Sequence, residues 1–203
     1  MANTSKINGF TPVKHTNGSP YNGQTNLYYI ASAADEMFVG DVVKLAGSAD
    51  ANGIATVDLA AASDVPVGIV VGVMHSKFEP AGKMTSGSTA LDSSAVLPKI
   101  AASGAAYVLV ADSPDLVCEV EAGNGTPAAV DIGLNASHAN GTRGATTSVN
   151  PAYIDMGTEA ATPTLNFRLL GFAQKVNNEI GASAKMLVGF NVHQFGSVGT
   201  TGL

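Results

Sequence analysis

The chain has 203 residues, enough for one sizeable domain or for a domain with an extended appendage. Its apolar content of 45% excludes intrinsic disorder, yet only 13% of residues are Asp, Glu, Lys or Arg, against roughly 25% in an ordinary soluble domain. With a net charge of −6 and no cluster among its ten basic residues, it lacks the grouped cations that binding nucleic-acid phosphates requires, and no direct nucleic-acid partner is expected.

A surface so poor in charge, at a mean hydropathy of +0.20, is weakly solvated alone and points to a protein covered by partners. Residues 1–26 are polar and turn-rich and hold too few apolar side chains for a core. They read as an extended N-terminal arm. The N-terminus shows no apolar segment of the secretion-signal kind, so synthesis in the cytoplasm is expected. No stretch approaches the roughly 18 uninterrupted apolar residues of a membrane helix, so no membrane partner is expected.

Leu27-Tyr28-Tyr29-Ile30 reads as a strand and Ala31 to Glu36 as a loop. Runs rich in Val, Ile and Leu follow at Phe38 to Leu45, Val67 to Val73, Ala106 to Val110, Leu116 to Glu121, Thr164 to Phe172 and Ala184 to His193. In the last of these, Met186, Val188, Phe190 and Val192 alternate with Lys185, Asn191 and His193, the period of two of a half-buried strand. Asn-Gly pairs at Asn8, Asn17, Asn22, Asn52, Asn124 and Asn140 predict type I′ turns between antiparallel strands. Residues 122–163, dominated by Ala, Gly, Thr, Ser and Asn, carry little strand signal beyond Val130-Asp131-Ile132 and read as a long loop or insertion. No window shows capped helical spacing, and no internal repeat of fixed period is visible. The expected fold is mainly β: a single compact barrel or sandwich over residues 27–203, carrying the arm and the Gly/Ala/Thr-rich insertion.

The single cysteine, Cys118, excludes an internal disulfide and shares a strand face with Leu116 and Val120, as a buried, inert thiol does. His15, His75, His138 and His193 lie in unrelated segments without a Cys, His or acidic residue at ligand spacing, so surface or turn roles are expected of them. Asp112-Ser113-Pro114-Asp115 reads as a type I turn, with Glu119 and Glu121 on the solvated face of the strand after it, in preference to a calcium site. Gly82-Lys83-Met84-Thr85 resembles the end of a phosphate-binding loop, but position 77, where its first glycine belongs, is Lys. There is no G-x-S-x-G elbow and no Trp. No catalytic, cofactor-binding or metal-binding residue is expected, and the protein reads as a non-enzyme.

The strand-and-turn pattern resembles the decoration, or cement, proteins of tailed-phage capsids. The resemblance rests on Ile7 to His15, Ser19 to Gln24, Phe38 to Leu45, Pro66 to Val70, Tyr107 to Leu116, and the closing pieces Leu169 to Phe172, Asn178 to Gly181 and Val188 to Gln194. It implies a β-barrel-like body on the capsid exterior of a virion made in a bacterial host, bound to the major capsid protein across subunit joints. It also implies a homo-oligomer, a trimer in preference, and no cofactor. Phe10, Pro12, Val13, His15 and Tyr21 are the arm residues assigned to capsid or neighbour contacts. A tail or fibre component, or a glycan- or peptide-binding β-sandwich, is the alternative.

Overall fold

The computed structural model describes residues 3–31, 36–74, 99–100, 106–143, 149–196, 199 and 202. Among them the regular secondary structure is nearly all strand: β1 (Thr11–His15), β2 (Asn26–Ile30), β3 (Met37–Phe38), β4 (Val42–Ala49), β5 (Ala55–Leu59), β6 (Gly68–Met74), β7 (Lys99–Ile100), β8 (Ala106–Ala111), β9 (Leu116–Gly123), β10 (Asn135–Ala139), β11 (Tyr153–Ala160), β12 (Phe167–Phe172) and β13 (Lys185–Phe190), with one 3₁₀ turn at Ala129–Asp131. The expected β-barrel architecture is present, but doubled. β2, β5, β4, β6 and β8 close one barrel; β9, β11, β10, β12 and β13 close a second. β3 and β7 form a separate two-stranded ladder.

The two barrels have the same topology. In each, the first strand runs parallel to the third (β2 with β5, β9 with β11), and every other neighbour is antiparallel: third beside second, second beside fourth, fourth beside fifth, fifth closing on the first. Even the irregularity between fourth and fifth strands repeats. Pairing shifts between Val70 and Gly72 in β6, and between Leu169 and Gly171 in β12. The register thus equates Val70-Val71-Gly72 with Leu169-Leu170-Gly171, and Leu109-Val110 with Leu187-Val188. A bulge strengthens local twist, which a five-stranded ring needs in order to close.

Strand alternation divides the apolar side chains between two cores. Tyr28, Ile30, Val43, Val57, Val70, Val108 and Val110 fill the first barrel. The second core holds Leu116, Cys118, Val120, Ile154, Phe167, Leu169, Met186 and Val188, and it continues onto the outer face of the first barrel through Val42, Ala60, Ile69 and Ala111. Val42 and Val43, like Ile69 and Val70, therefore serve opposite cores. β8 passes to β9 through a turn closed by the Leu116 amide on the Ser113 carbonyl (3.1 Å), one residue later than the Asp112–Asp115 turn the sequence predicts, which puts Pro114 at its second position.

The structure corrects several readings. Residues 11–15 do not extend away as an arm: they are β1, antiparallel to β9. Phe10 is 1% exposed and stacks on Phe167 at 4.8 Å, because its ring completes the second core. Residues 122–163 are not a long loop but carry β10 and β11, whose Ala136, Ile154 and Met156 are buried. A positive φ occurs at all six Asn-Gly pairs, at glycine in five and at Asn124 in the sixth, whereas a type I′ turn needs two such residues. At Asn17-Gly18 and Asn52-Gly53 the amide of the glycine bonds the carbonyl three residues back (2.9 and 3.1 Å), and the next pair closes His15 on Ser19 and Asp50 on Ile54. These are type I turns followed by a left-handed glycine, the three-residue hairpin loop.

Candidate functional site

The five residues assigned to partner contacts are all engaged within the chain. Phe10 is core; Pro12 and Val13 are half-buried in β1, with Pro12 opposite Cys118. The rings of His15 and Tyr21 lie 6.4 Å apart at the hairpin end, and the Tyr21 hydroxyl donates to the Gln24 carbonyl at 3.2 Å. Phe10 leaves the candidate contact set, while His15 and Tyr21 remain partly accessible.

Glu121, expected on a solvated face, is 1% exposed and anchors the N-terminal segment. It accepts from the Ser5 hydroxyl (2.6 Å), the Lys6 amide (2.7 Å) and Lys185 Nζ (3.0 Å), and the same ammonium donates to the Lys6 carbonyl at 2.6 Å. Burial pushes its carboxyl up, but these bonds outweigh burial and hold it below the ordinary carboxylate range. Further along, Asn3 bonds the Glu179 and Ala182 carbonyls and accepts from the Glu179 amide. The segment so held bounds two adjoining clefts, of ≈ 380 and ≈ 560 Å³, with Lys6 and Lys185 on both. Val176 stands at the rim of the first and Val149 at that of the second, 91% and 50% exposed. This end of the second barrel is the candidate docking face.

A second feature is the seam between barrels. The stretch from Ala60 to Pro66, joining β5 to β6, turns four alternate carbonyls to the second barrel. The Ala60 carbonyl accepts from Asn140 and faces His138 Nε2 at 3.0 Å; that of Ala62 accepts from the Ser137 hydroxyl; that of Asp64 from Asn166; that of Pro66 from the Gln194 amide. Gln194 returns its side-chain oxygen to the Leu45 amide at 2.8 Å. Fully buried Asp41 accepts from both terminal guanidinium nitrogens of Arg143 (2.7 and 2.8 Å), the Asn150 amide group and the Phe38 amide. A buried carboxylate is tolerable only when paired and fully bonded in this way.

His138 and His193 are buried here, against the surface roles expected of them, and Asn191 is buried too. Burial holds both imidazoles below the ordinary histidine range; for His138 the bonds to Ala60 and Asn166 and the charges of Asp41 and Asp64 offset it in part, and for His193 those of Val67 and Asp112 do. No local motif marks these two positions in the sequence, because strands distant in the chain create their burial. Cys118 behaves as expected: it is 1% exposed, and burial pushes its thiol up. Among the described residues no group of three His, Cys, Asp or Glu is placed to hold a metal ion, and no helix is long and apolar enough to cross a membrane. No family model, curated protein or solved structure matches the chain.

Proposed function

We propose that the protein is a structural, non-enzymatic virion component: a decoration protein that binds the outer surface of a tailed-phage capsid and stabilises contacts between major capsid protein subunits. The observation that carries this reading is where its buried polar groups are spent. Asp41, Arg143, Glu121 and Asn166 all hold segments of the chain to one another, and two closed barrels are thereby locked into one body with few free strand edges. Such a body suits a load-bearing clamp. Packed DNA presses outward on a thin shell, and each bound copy adds buried area across joints that would otherwise open. The low charge fits a surface that partners cover.

The test is to incubate the purified chain with particles lacking it and to measure binding and resistance to heat and chelators. Binding with raised resistance is expected, and failure to bind any capsid would sink the proposal. Val176→Asp changes the docking face at a side chain that makes little contact with the fold, so stability should move by no more than about 0.5 kcal/mol while capsid binding falls. Unchanged binding would move the docking face elsewhere.

A further inference from the structure

The six Asn-Gly pairs carry a chemistry beyond the turns they form. The amide nitrogen of the glycine attacks the asparagine Cγ, the Cγ–Nδ2 bond breaks, and ammonia leaves with the proton of that amide. Water then opens the resulting five-membered succinimide at either carbonyl, which yields aspartate or isoaspartate. Glycine favours the attack because it has no Cβ to crowd it. In a folded chain the carboxamide has to swing onto the amide, so a hydrogen bond to either group has to break first. One such bond slows closure about 2- to 10-fold.

Four pairs are tied through the asparagine side chain. Asn17 Oδ1 accepts from the Ser19 amide (2.9 Å) and hydroxyl (2.7 Å), and Asn52 Nδ2 donates to Asp50 Oδ2 at 3.2 Å. In both hairpins the nucleophile is held as well, the Gly18 amide by the His15 carbonyl and the Gly53 amide by the Asp50 carbonyl. Asn124 Nδ2 donates to Asp155 Oδ1 at 2.8 Å, and Asn140 Nδ2 to the Ala60 carbonyl at 2.9 Å. The fifth pair is guarded at its glycine. Gly9 is buried against Asn150 and the Gly40 carbonyl, and the Phe10 amide after it is bonded to that same carbonyl at 2.9 Å.

Asn22-Gly23 lacks each of these restraints. Both residues are exposed, and among the described residues nothing bonds the Asn22 carboxamide or the Gly23 amide. A Cβ on Gly23 would meet nothing within 4 Å, so open space surrounds the nucleophile. The pair lies outside the strands, between the Lys14–Pro20 bridge and β2, and the Tyr21 hydroxyl spans it to reach the Gln24 carbonyl at 3.2 Å.

We propose that Asn22 is a site of spontaneous covalent modification, converted through a succinimide with Gly23 to aspartate and isoaspartate, while the fold preserves the other five Asn-Gly pairs. Its position gives the change a consequence. Residues 21–25 join β1, which pairs with the second barrel, to β2 of the first. Either product adds a negative charge to a chain already at −6, and isoaspartate also inserts a methylene into the main chain under the Tyr21–Gln24 bond. Both changes fall beside the partly accessible Tyr21 and His15.

The test incubates the full folded chain in mildly alkaline buffer and follows every Asn-Gly pair by peptide mapping, with fragment ions separating Asn22 from Asn17. An isoaspartate methyltransferase assay identifies the product. Asn22 should convert about 2- to 10-fold faster than a pair held by one bond, and further ahead of Asn17 and Asn52, where both reacting groups are held. In denaturing urea the other five should accelerate toward the rate of Asn22. Another pair converting as fast as Asn22 in the folded chain overturns the proposal. So does a lead that persists unchanged in urea, because local sequence and not the fold would then set it. Aspartate formed without isoaspartate overturns the succinimide route. Gly23→Ala should slow conversion at Asn22 and leave the other five pairs as they were; an undiminished rate would overturn attack by the Gly23 nitrogen.

Discussion

Two glycines of the N-terminal region separate steric from conformational cost. Gly9 and Gly18 both have positive φ, +66° and +88°. A Cβ on Gly18 meets nothing within 4 Å, while one on Gly9 would lie 2.6 Å from Asn150 Nδ2 and 2.7 Å from the Gly40 carbonyl oxygen. Gly18→Ala should therefore cost only the left-handed penalty, about 1 kcal/mol. Gly9→Ala should cost about 3 kcal/mol or more, because it also displaces the Asn150 bond to Asp41; equal shifts in denaturant midpoint would contradict this. Glu121 makes a pH-dependent prediction. Its folded carboxyl lies below its ordinary 4.5, so its contribution is complete above that value and is lost as pH falls through the lowered one. Glu121→Gln should cost about 1–3 kcal/mol at pH 7, and the gap from wild type should narrow as pH falls below 4.5. The sequence discloses the glycines, since Asn-Gly pairs announce positive φ. It misplaces Glu121, because strand alternation puts that residue on an outward face that the folded-back segment then covers.

Phe10 decides whether β1 is an appendage or part of the fold. Its ring is 1% exposed, stacked on Phe167 and edge-on to His138. Phe10→Ala should cost about 3–5 kcal/mol, as expected for an emptied core site, and deletion of residues 1–15 should destabilise the second barrel and expose the face of β9. A thermal midpoint left unchanged by Phe10→Ala would restore the free-arm reading. β13 is legible from sequence because Met186 and Val188 alternate with Lys185 and Leu187, and β6, β8 and β9 are legible as continuous apolar runs whose neighbouring residues are buried on both faces. β10 is not legible: Asn135-Ala136-Ser137-His138 has no β-branched residue and all four are buried, since Ala136 packs in its own barrel while Ser137 and His138 meet the Ala60–Pro66 strip. β11 does alternate, with Ile154 and Met156 inward, but the small-residue stretch around it hides the pattern.

The doubled barrel escapes sequence reading for a geometric reason. Equivalent positions are unevenly separated along the chain, Val70 from Leu169 but Val110 from Val188, because the connections between fourth and fifth strands differ in length. The register shift followed by Gly72 or Gly171 is the surviving trace, and pairing data are needed to see it. The repeat also makes the molecule's cooperativity testable. Ile69 and Val70 are adjacent and both fully buried, but Ile69 belongs to the core that runs from the second barrel onto the first, and Val70 to the interior of the first. Ile69→Ala therefore removes apolar area from the coupling between barrels, about 2–5 kcal/mol, while Val70→Ala weakens one barrel and leaves the coupling intact. With coupling larger than the difference in barrel stabilities, the wild type and Val70→Ala should each unfold in one calorimetric peak, the variant's at lower temperature. Ile69→Ala should resolve two peaks, because neither barrel then holds the other folded. A single peak for Ile69→Ala, displaced no differently from that of Val70→Ala, would mean that the directed hydrogen bonds of the seam, and not its apolar contact, make the two barrels one body.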